Sequence, residues 1–468
     1  MKDYIFRRYD IRGKVGSEFC IDEVYDLAHS IAHYFKKNYP KVACVAVGAD
    51  GRIHSPAIKK ELCRALQDSG LNVIFIGICP SPVLYFSLYT LPVEAGIMIT
   101  ASHNGKEYNG FKLCLNKNSI WGDAIQQIKK YVYKKILFHA KKRGMYQEKN
   151  MVTEYVDWLK NHFSELVNMD VCAIIDCGNG AAGTVLPELI TAMRWRHIDL
   201  LYAEVDGTYP NHPADPTIEE NMFTLKQMLQ RHTKKIGIGF DGDCDRMVAM
   251  TCKGELIQGD KLLAVFSNIL LKKHPGATVI FDIKCSSGLQ DLLNAWGANA
   301  IMSASGHSII KEQMKRYDAL LAGELSCHFF FNDRYFGYDD GIYAMMRLFE
   351  VLHKTHKNLD QLVAIFPHKV NTPEIRIIVS DELSKKIVKM VKQSFMQRND
   401  VELITIDGVR AVFTDGWGMI RSSNTQPAIC LRFESDTKDG LRRIQQDFKQ
   451  VLLPFFKSTL LAEYFGDI

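Results

Sequence analysis

Three separate segments of this chain have the composition of buried parallel β-strands, and helix-like segments follow them. Residues 42–47, 171–175 and 278–281 are short, almost wholly apolar runs rich in valine, isoleucine and alanine. Such runs are typical of strands covered on both faces of a parallel sheet. After the first run, Ser55 and Pro56 mark a helix start and Gly70 marks its end. Repeated strand–helix units predict three successive α/β domains.

The pattern changes after about residue 368. Strand-like segments become more frequent, and two longer helix-like segments at about 382–396 and 438–452 separate them. This order predicts a C-terminal α+β domain. A chain of 468 residues is long enough for each domain to bury its own core. The predicted domains are residues 1–150, 151–255, 256–368 and 369–468.

Composition excludes several classes of protein. The chain is 47% hydrophobic and 24% charged, as is ordinary for a soluble globular protein, and a net charge of +5 is too small to indicate a nucleic-acid binder. The twelve cysteines form no C-x-x-C pair, which argues against zinc sites and a disulfide framework. No signal peptide is evident, and prolines interrupt the most apolar stretch, 73–100. We therefore expect a cytoplasmic protein with no nucleic-acid or membrane partner.

One short segment offers ligands for a metal ion. Asp241, Asp243 and Asp245 alternate directly after the strand-like run 236–240. Alternate residues of an extended loop point the same way, and Mg²⁺ prefers carboxylate oxygens together with phosphate and water. An EF-hand loop would need glycine and glutamate at the positions of Arg246 and Cys252, so that type of calcium site is excluded. The remaining alternatives are a magnesium site and a solvated turn.

A second segment offers a nucleophile. Ser102 lies in the polar run Thr-Ala-Ser-His-Asn at residues 100–104. A Ser-His-Asp hydrolase is disfavoured because the G-x-S-x-G elbow is absent. A hydroxyl and a carboxylate cation site together suggest phosphoryl transfer, in which positioning and charge neutralisation carry most of the catalysis. A purely structural Ser-Asn turn is the alternative at this point.

A glycine-rich segment supports a different class of enzyme. Residues 178–183 fit G-x-G-x-x-G after a strand and before a helix, and Asp199 stands where a ribose-binding acid is expected. This pattern is compatible with a nicotinamide-dependent oxidoreductase. The same glycines would equally serve a tight strand–helix connection, and Asp199 does not end a clean apolar strand.

Two further polar loops suit a sugar phosphate. Glu324, Ser326 and His328 alternate after the strand-like run 319–322, and a carboxylate beside a hydroxyl suits vicinal sugar hydroxyls. The segment Arg-Ser-Ser-Asn-Thr at 421–425 offers a guanidinium, hydroxyls and an amide, which are donors that a phosphate dianion needs. Each loop taken alone is also compatible with an ordinary surface turn.

Taken together, the chain resembles the α-D-phosphohexomutase family, most closely its bacterial phosphomannomutase/phosphoglucomutase branch. The resemblance runs nearly end to end, and it places four loops of suitable chemistry in the family's order, one in each domain. The segments that carry it are residues 6–13, 48–52, 100–104, 109–112, 176–183, 210–213, 241–246, 306–308, 323–328, 338–341 and 421–427.

The resemblance implies that the four domains surround a central cleft where the four loops meet, and it implies a role for each loop. Ser102 would carry a phosphoryl group, and Asp241, Asp243 and Asp245 would hold Mg²⁺ together with a phosphoserine oxygen. The implied catalytic residues are Ser102, His103, Lys112, Arg246 and His328, with Lys112, Glu324 and His328 as competing candidates for the acid/base. The implied substrate-binding residues are Tyr9, Arg12, Lys284, His307, Glu324, Ser326, His328, Arg421, Ser423, Asn424 and Thr425.

The function that the resemblance implies is interconversion of the 1- and 6-phosphates of mannose and glucose. It implies Mg²⁺ as cofactor, a hexose 1,6-bisphosphate as activator, hexose phosphates as ligands and a monomeric enzyme. The alternatives are phosphoglucosamine mutase, the NAD-dependent oxidoreductase and a sugar-phosphate sensor without catalysis. Three residues depart from the family pattern: Gly105 replaces a proline, and Cys244 and Cys327 stand where glycine is frequent.

Overall fold

Four β-sheets, each with its own helices, follow one another along the chain. In this computed structural model, residues 1–232, 235–423 and 427–465 are described. The first three sheets combine parallel and antiparallel strands, whereas the fourth is wholly antiparallel. This arrangement confirms the predicted fold class of three mixed α/β domains and a C-terminal α+β domain.

The first sheet has the strand order β1-β5-β4-β2-β3-β7, with β6 paired to β5. Its strands are β1 Ile11–Lys14, β2 Cys44–Ala49, β3 Asn72–Ile78, β4 Ala95–Ile99, β5 Tyr108–Leu115, β6 Asn118–Ser119 and β7 Tyr146–Glu148. Its helices are α1 Glu23–Asn38, α2 Ser55–Asp68, α3 Ser81–Thr90 and α4 Asp123–Tyr133. The nucleophile segment connects β4 to β5 at one end of this sheet.

The second sheet has the order β12-β11-β10-β8-β9. Its strands are β8 Cys172–Asp176, β9 His197–Leu201, β10 Ile236–Phe240, β11 Met247–Met250 and β12 Leu256–Ile257. Its helices are α5 Val152–His162, α6 Leu186–Met193 and α7 Phe223–Leu229. The carboxylate triplet connects β10 to β11. The short strand β12, which follows the predicted boundary at residue 255, pairs with β11 of this sheet.

The third sheet has the order β14-β13-β15-β16. Its strands are β13 Thr278–Asp282, β14 Asn299–Ser303, β15 Leu321–Gly323 and β16 Phe329–Phe331. Its helices are α8 Gly259–Lys273, α9 Ser287–Ala295, α10 His307–Tyr317, α11 Gly341–Thr355 and α12 Leu359–Val363. The loop with Glu324, Ser326 and His328 connects β15 to β16.

The fourth sheet has the order β17-β22-β21-β20-β19, with β18 paired to β22. Its strands are β17 Val370–Asn371, β18 Ile375–Ile378, β19 Glu402–Ile404, β20 Val409–Phe413, β21 Gly416–Ser422 and β22 Ala428–Ser435. Its helices are α13 Asp381–Met396, α14 Lys438–Leu452 and α15 Ser458–Phe465. Arg421 lies near the end of β21, where the chain turns toward β22.

One large apolar core joins the first three domains. It runs from Ile76 and Phe86 of the first domain through Tyr155 and Ile238 of the second to Leu348 of the third. The fourth domain has a separate core, and a small cluster of Ile283, Trp417 and Met419 lies between the third and fourth domains. In the described part of the chain, no helix combines the length and the apolarity needed to cross a membrane.

Candidate active site

Ser102 is held in a strained turn with its hydroxyl aimed at the carboxylate triplet. The residue is 3% exposed and has a φ of 51°, a left-handed conformation that non-glycine residues seldom adopt. Its Oγ donates to Asp241 Oδ2 at 2.7 Å and lies 3.2 Å from His103 Nδ1. Burial and then Arg246 lower the pKa of His103 well below its ordinary value, so its imidazole is neutral. Strain of this kind is often concentrated at functional positions.

Arg52 fixes the backbone of this turn. Its guanidinium is fully buried, is paired with Asp50 at 3.1 Å, and donates to four carbonyl oxygens. Those carbonyls belong to Ser102, Asn104, Gly105 and Tyr108, at 2.6 to 3.0 Å. A planar fork with five donors suits such a cluster better than a lysine ammonium does. Arg52 is not among the site residues predicted from the sequence, although it follows the buried strand β2 at the end where ligand sites of α/β sheets are found.

The three aspartates converge in a buried cluster. Asp241, Asp243 and Asp245 each present a carboxylate oxygen, and these oxygens lie within 4.8 Å of one another. All three residues are at most 1% exposed, and one oxygen each of Asp243 and Asp245 lacks a hydrogen-bond partner among the described residues. Burial and the carboxylates of Asp245 and Asp243 raise the pKa of Asp241 well above its usual value. This donor set fits a hard divalent cation, which would relieve the repulsion and engage the unpaired oxygens.

Lys112 on β5 reaches across from the first domain to this cluster. Its Nζ donates to Asp243 and to Asp245, and Ser81 at the start of α3 also donates to Asp243. Burial opposes the lysine charge, but Asp243, Asp245 and Asp339 outweigh that penalty and raise the pKa of Lys112 above its ordinary value. The ammonium therefore stays protonated and offers a proton beside the carboxylates. Lys112, a catalytic residue predicted from the resemblance, thus lies against the carboxylate cluster. Its catalytic role remains a proposal.

Arg246 links the second domain to the third. It forms an isolated antiparallel bridge with His328, and its Nε donates to His328 Nε2 at 2.9 Å. Because that nitrogen accepts a hydrogen bond, and because burial and Arg246 lower the pKa of His328 well below its ordinary value, the ring is neutral. His328 Nε2 also lies 3.5 Å from Asp245 Oδ1. Arg246 and His328 thus lie directly beside the cluster of three aspartates.

The β15–β16 loop, which contains Glu324 and Ser326, lies next to these groups. Glu324 is 3% exposed, accepts from the backbone N–H of Gly306, and lies 3.6 Å from His328 Nδ1. Burial and the neighbouring Asp282 raise the pKa of Glu324 to about 7. Ser326 is half-buried in the same turn. A carboxyl group with a pKa near neutrality can either donate or accept a proton, so Glu324 stays a candidate acid/base beside Lys112.

Tyr9 and Arg12 of the first domain are two further residues that the resemblance predicts to bind substrate. Tyr9 donates through its hydroxyl to the carbonyl of Ser305, and its ring centroid lies 6.2 Å from that of His307. Arg12 on β1 donates to Asn104 Oδ1 at 2.6 Å and pairs with Asp10. Tyr9 therefore contacts the third domain at Ser305 and His307, and Arg12 lies beside the turn that holds Ser102.

The fourth domain contributes a buried guanidinium. Arg421 Nε donates to Asp407 Oδ2 at 2.8 Å, and the same carboxylate oxygen accepts from the backbone N–H of Ser305 at 3.2 Å. Lys284 of the third domain reaches Glu374 of the fourth at 3.4 Å. Ser423 is half-buried, and its N–H donates to the carbonyl of Ala428. The predicted ligands Asn424 and Thr425 lie outside the described residues.

Asp339 is a functional candidate to which sequence analysis gave no role. It is fully buried between Lys311, at 3.0 Å, and His307, whose Nδ1 lies 3.2 Å from its Oδ2. His328 Nδ1 lies 3.9 Å from the same oxygen. One carboxylate thus lies within ion-pair distance of two histidines that face the site. The only signal in the sequence was its place in the segment 338–341, which gives no hint of these partners.

We expect Asp339→Asn to lower kcat roughly 10- to 100-fold with little change in KM, because His307 and His328 would lose the charge that orients them. The measurement is steady-state kinetics with a hexose 1-phosphate, alongside the thermal unfolding midpoint. Asp318→Asn, at an exposed helix end with the same charge change, is the matched control. A loss confined to KM, or to folding stability, would contradict a positioning role.

Two departures from the family pattern keep a glycine-like backbone. Cys244 has a φ of 61° and Cys327 a φ of 66°, both in the left-handed region that favours glycine. Burial raises the pKa of Cys327 to about 12 and that of Cys244 well above its ordinary value. The thiols are therefore poor nucleophiles. At the third departure, Gly105, an added Cβ would lie 2.8 Å from a carboxylate oxygen of the flexible Glu107 side chain.

The glycine-rich segment serves a packing role. A Cβ at Gly180 would lie 2.8 Å from the carbonyl oxygen of Gly242, and a Cβ at Gly183 would lie 1.9 Å from that of Ala203. The N–H of Ala181 donates to the carbonyl of Gly242 at 2.9 Å. Asp199 pairs with Lys235. The glycines therefore let the β8–α6 connection pack against the loop that carries Asp241, Asp243 and Asp245. This tight strand–helix connection is the alternative to a dinucleotide site that the sequence left open.

Comparisons with known proteins agree along the whole chain. Family models described as phosphoglucomutase/phosphomannomutase match in four parts: alpha/beta/alpha domains I, II and III at residues 3–137, 153–254 and 258–369, and the C-terminal domain at 374–451. A phosphomannomutase/phosphoglucomutase of Pseudomonas syringae is 39% identical over 449 residues, covering 96% of this chain and 95% of that protein. A phosphoglucomutase of Neisseria gonorrhoeae is 38% identical, covering 96% of both chains.

A solved structure has the same overall arrangement. The crystal structure of a phosphoglucomutase/phosphomannomutase family protein from Burkholderia thailandensis superposes with a TM-score of 0.88 at 32% sequence identity. The match covers 97% of this chain and 98% of that one.

Proposed function

This chain belongs to the phosphoglucomutase/phosphomannomutase family, and on that premise we propose that it is a phosphohexomutase. It interconverts mannose 1-phosphate with mannose 6-phosphate and glucose 1-phosphate with glucose 6-phosphate. The observation that carries this proposal is the 2.7 Å contact between the Ser102 hydroxyl and Asp241, one of three buried carboxylates. A strained serine held against a cation-type site suits phosphoryl transfer better than hydride transfer or simple binding.

The reaction begins with a phosphoryl group on Ser102. A hydroxyl of the bound hexose phosphate attacks that phosphorus, its proton passes to a base, and the bond between phosphorus and Ser102 Oγ breaks. The serine oxygen takes up a proton, and a hexose 1,6-bisphosphate and a free serine result. After the bisphosphate reverses its orientation, Ser102 Oγ attacks the other phosphorus and its proton passes to a base. The bond between that phosphorus and the sugar oxygen breaks, the sugar oxygen takes up a proton, and the second hexose phosphate leaves.

The chain's own cations stabilise the transferring group. Arg246 is fixed by His328 at 2.9 Å, and Lys112 is held against the carboxylates from the opposite domain. Fixed charges in a buried site need little reorganisation as charge develops, which is the main source of catalysis in such transfers. Among the candidate bases, Lys112 is charged in the structure, whereas the pKa of Glu324 lies near 7 because of burial and Asp282.

Asp241, Asp243 and Asp245 would hold the metal ion, for which we propose Mg²⁺. When bound, this ion neutralises charge on the transferring phosphoryl group. We also propose a hexose 1,6-bisphosphate as activator, since it can restore the phosphoryl group on Ser102 whenever that group is lost.

One cleft can bind both sugars if none of its contacts distinguishes the configuration at C2. Glu324 and Ser326 alternate in the β15–β16 loop, and contacts from them to the sugar O3 and O4 leave C2 unrecognised. Glucose and mannose differ only at C2. Arg421 and Ser423 of the fourth domain, with Asn424 and Thr425, would bind the phosphate that is not transferred, while Tyr9, Arg12, Lys284 and His307 line the remaining wall.

The test is turnover of mannose 1-phosphate and glucose 1-phosphate with Mg²⁺ and a trace of hexose 1,6-bisphosphate. We expect both sugars to be converted. Glucosamine 6-phosphate is assayed in parallel, and a clear preference for it would replace the proposed specificity with that of a phosphoglucosamine mutase. Binding of hexose phosphates without turnover of any of them would favour a sensor.

A further inference from the structure

A cavity of about 230 Å³ lies between the first and third domains. Helix α3 and the segment around β6 form one wall, and helix α10 with the segment 336–338 forms the other. None of the residues proposed above to bind substrate or metal lines this cavity. The cavity is therefore distinct from the reaction centre, although His307, at the start of α10, directly precedes the lining residue Ser308.

The cavity is basic. Lys117, Lys311 and Lys315 line it, and among its lining residues Glu312 is the only carboxylate. Lys315 spans the two domains by donating to the carbonyl of Lys117 at 3.1 Å and to Asn118 Oδ1 at 2.6 Å. Burial and the charges of Lys311 and Lys117 lower the pKa of Lys315. An anion placed among these ammonium groups would relieve their mutual repulsion.

The remaining walls offer a hydroxyl and aromatic rings. Ser308 lines the cavity, is 2% exposed, and its Oγ has no hydrogen-bond partner among the described residues. Tyr89 and Phe336 stack with ring centroids 4.4 Å apart. Lys117 Nζ lies 4.6 Å from the centroid of the Tyr89 ring. A buried hydroxyl without a partner costs free energy unless a ligand or water satisfies it. Because Tyr89 and Phe336 cover each other's faces, their ring edges and Leu88 form the apolar side of the cavity, which suits an apolar body.

Lys311 connects the cavity to the reaction centre. Its Nζ lies 4.1 Å from the centroid of the Tyr85 ring and 3.0 Å from Asp339 Oδ1. Asp339 in turn orients His307. An anion in the cavity would compete with Asp339 for the charge of Lys311 and would thereby disturb the histidines beside the substrate.

We propose that this cavity binds a small phosphate monoester with a planar or apolar body, and that its occupancy lowers the rate of the mutase. The phosphate dianion takes Lys117, Lys315 and the Ser308 hydroxyl as partners, and the body lies against Tyr89 and Phe336. The size of the cavity restricts the ligand to about that of a monosaccharide phosphate. Lysine ammonium groups bind phosphate as point charges, so they do not require the bidentate geometry of arginine. The effect on rate rests on the proposed function, but the binding does not.

Phenyl phosphate is the probe, because it carries one dianion on one planar ring. Its binding to the full-length, Mg²⁺-loaded protein is measured by isothermal titration calorimetry with saturating glucose 1,6-bisphosphate, which keeps the sugar cleft filled. We expect one binding site whose affinity falls at least about 10-fold in Lys117→Met/Lys315→Met, because two charge-assisted contacts are lost. Lys141→Met/Lys142→Met, which removes two exposed lysines elsewhere in the first domain, should bind as the unchanged protein does.

Kinetics separate the cavity from the sugar cleft. Phenyl phosphate should lower kcat at saturating hexose phosphate in the unchanged protein and in the control, but not in Lys117→Met/Lys315→Met. An effect on KM alone would place the probe in the sugar cleft and overturn the proposal. Absence of binding up to about 10 mM, or equal affinity in both lysine variants, would overturn it as well. Binding in the cavity with no change in kcat would refute the coupling through Lys311.

Discussion

Ser102→Ala is expected to remove mutase turnover by at least about 10⁴-fold while hexose phosphates still bind within a few-fold of their normal affinity. The serine oxygen is the atom that carries the phosphoryl group between the two half-reactions, and alanine offers no oxygen to take its place. The binding groups, including Glu324 and Arg421, belong to other domains and are held by partners that the substitution does not touch. Turnover is measured with glucose 1-phosphate, and binding is measured by calorimetry.

The control is Ser17→Ala, which removes a serine hydroxyl from an exposed turn of the same domain. Intact-mass spectrometry adds an independent readout, since the unchanged protein incubated with a hexose 1,6-bisphosphate should gain one phosphoryl group and Ser102→Ala should gain none. Turnover above about one per cent of normal, or a phosphoryl group retained in the variant, would show that another residue carries it.

The secondary structure was largely predictable because apolar runs and helix signals are local. The strand-like run 278–281 became β13 and the run 171–175 became β8, each within one or two residues. Strand β21 was not predicted. Its sequence, Gly416–Ser422, contains two glycines and an arginine, and its burial comes from the neighbouring strands β20 and β22. Local composition does not contain that information.

The basic segment after α4 shows a related limit. The run of lysines between residues 129 and 143 is typical of the solvated face of a surface helix, so local composition predicts that α4 continues through it. The helix ends at Tyr133, and the chain continues without regular structure until β7 begins at Tyr146. In this stretch, hydrogen bonds such as Ala140 N–H to the carbonyl of Asp68 replace the helical ones. Those partners lie far away in the sequence, so helical periodicity does not reveal them.

The sequence predicted which residues make up the candidate site, but it did not predict how they contact one another. Ser102, Lys112 and the three aspartates were all identified from the sequence, yet their direct contacts cross a domain boundary. Arg52 and Asp339 were given no role because each acts through other residues, on carbonyl oxygens in one case and on histidines in the other. Such partners are visible only once the loops have been brought together.

Cys244 and Cys327 show what a resemblance alone leaves open. Both cysteines stand where relatives often have glycine, and both adopt left-handed φ values, of 61° and 66°. The surrounding contacts, such as Cys244 N–H to the carbonyl of Asp241 at 3.0 Å, impose the turn despite the cost to a residue with a Cβ. The geometry of both loops is therefore set by their packing and not by the glycine.

Asp243→Asn is expected to lower turnover by about 10²-fold or more. An amide in place of this carboxylate removes one charge from the set that would hold the metal ion. It also removes one of the two anionic partners of Lys112 and leaves the Ser81 hydroxyl with a neutral acceptor. The side-chain volume hardly changes, so the loss should come from charge and not from packing. Higher Mg²⁺ concentrations should restore part of the activity, because weaker metal binding is one component of the defect.

The measurements are turnover as a function of Mg²⁺ concentration and the affinity for Mg²⁺ or Mn²⁺ by calorimetry. Asp199→Asn is the matched control: it makes the same charge change in the same domain, at a half-exposed residue paired only with Lys235 among the described ion pairs. It is also the acid that a dinucleotide-binding protein would need, so normal activity in this variant counts against that alternative. If Asp243→Asn bound metal normally and turned over at the normal rate, the triplet would not be the metal site, and the link between Ser102 and Asp241 would lose its catalytic meaning.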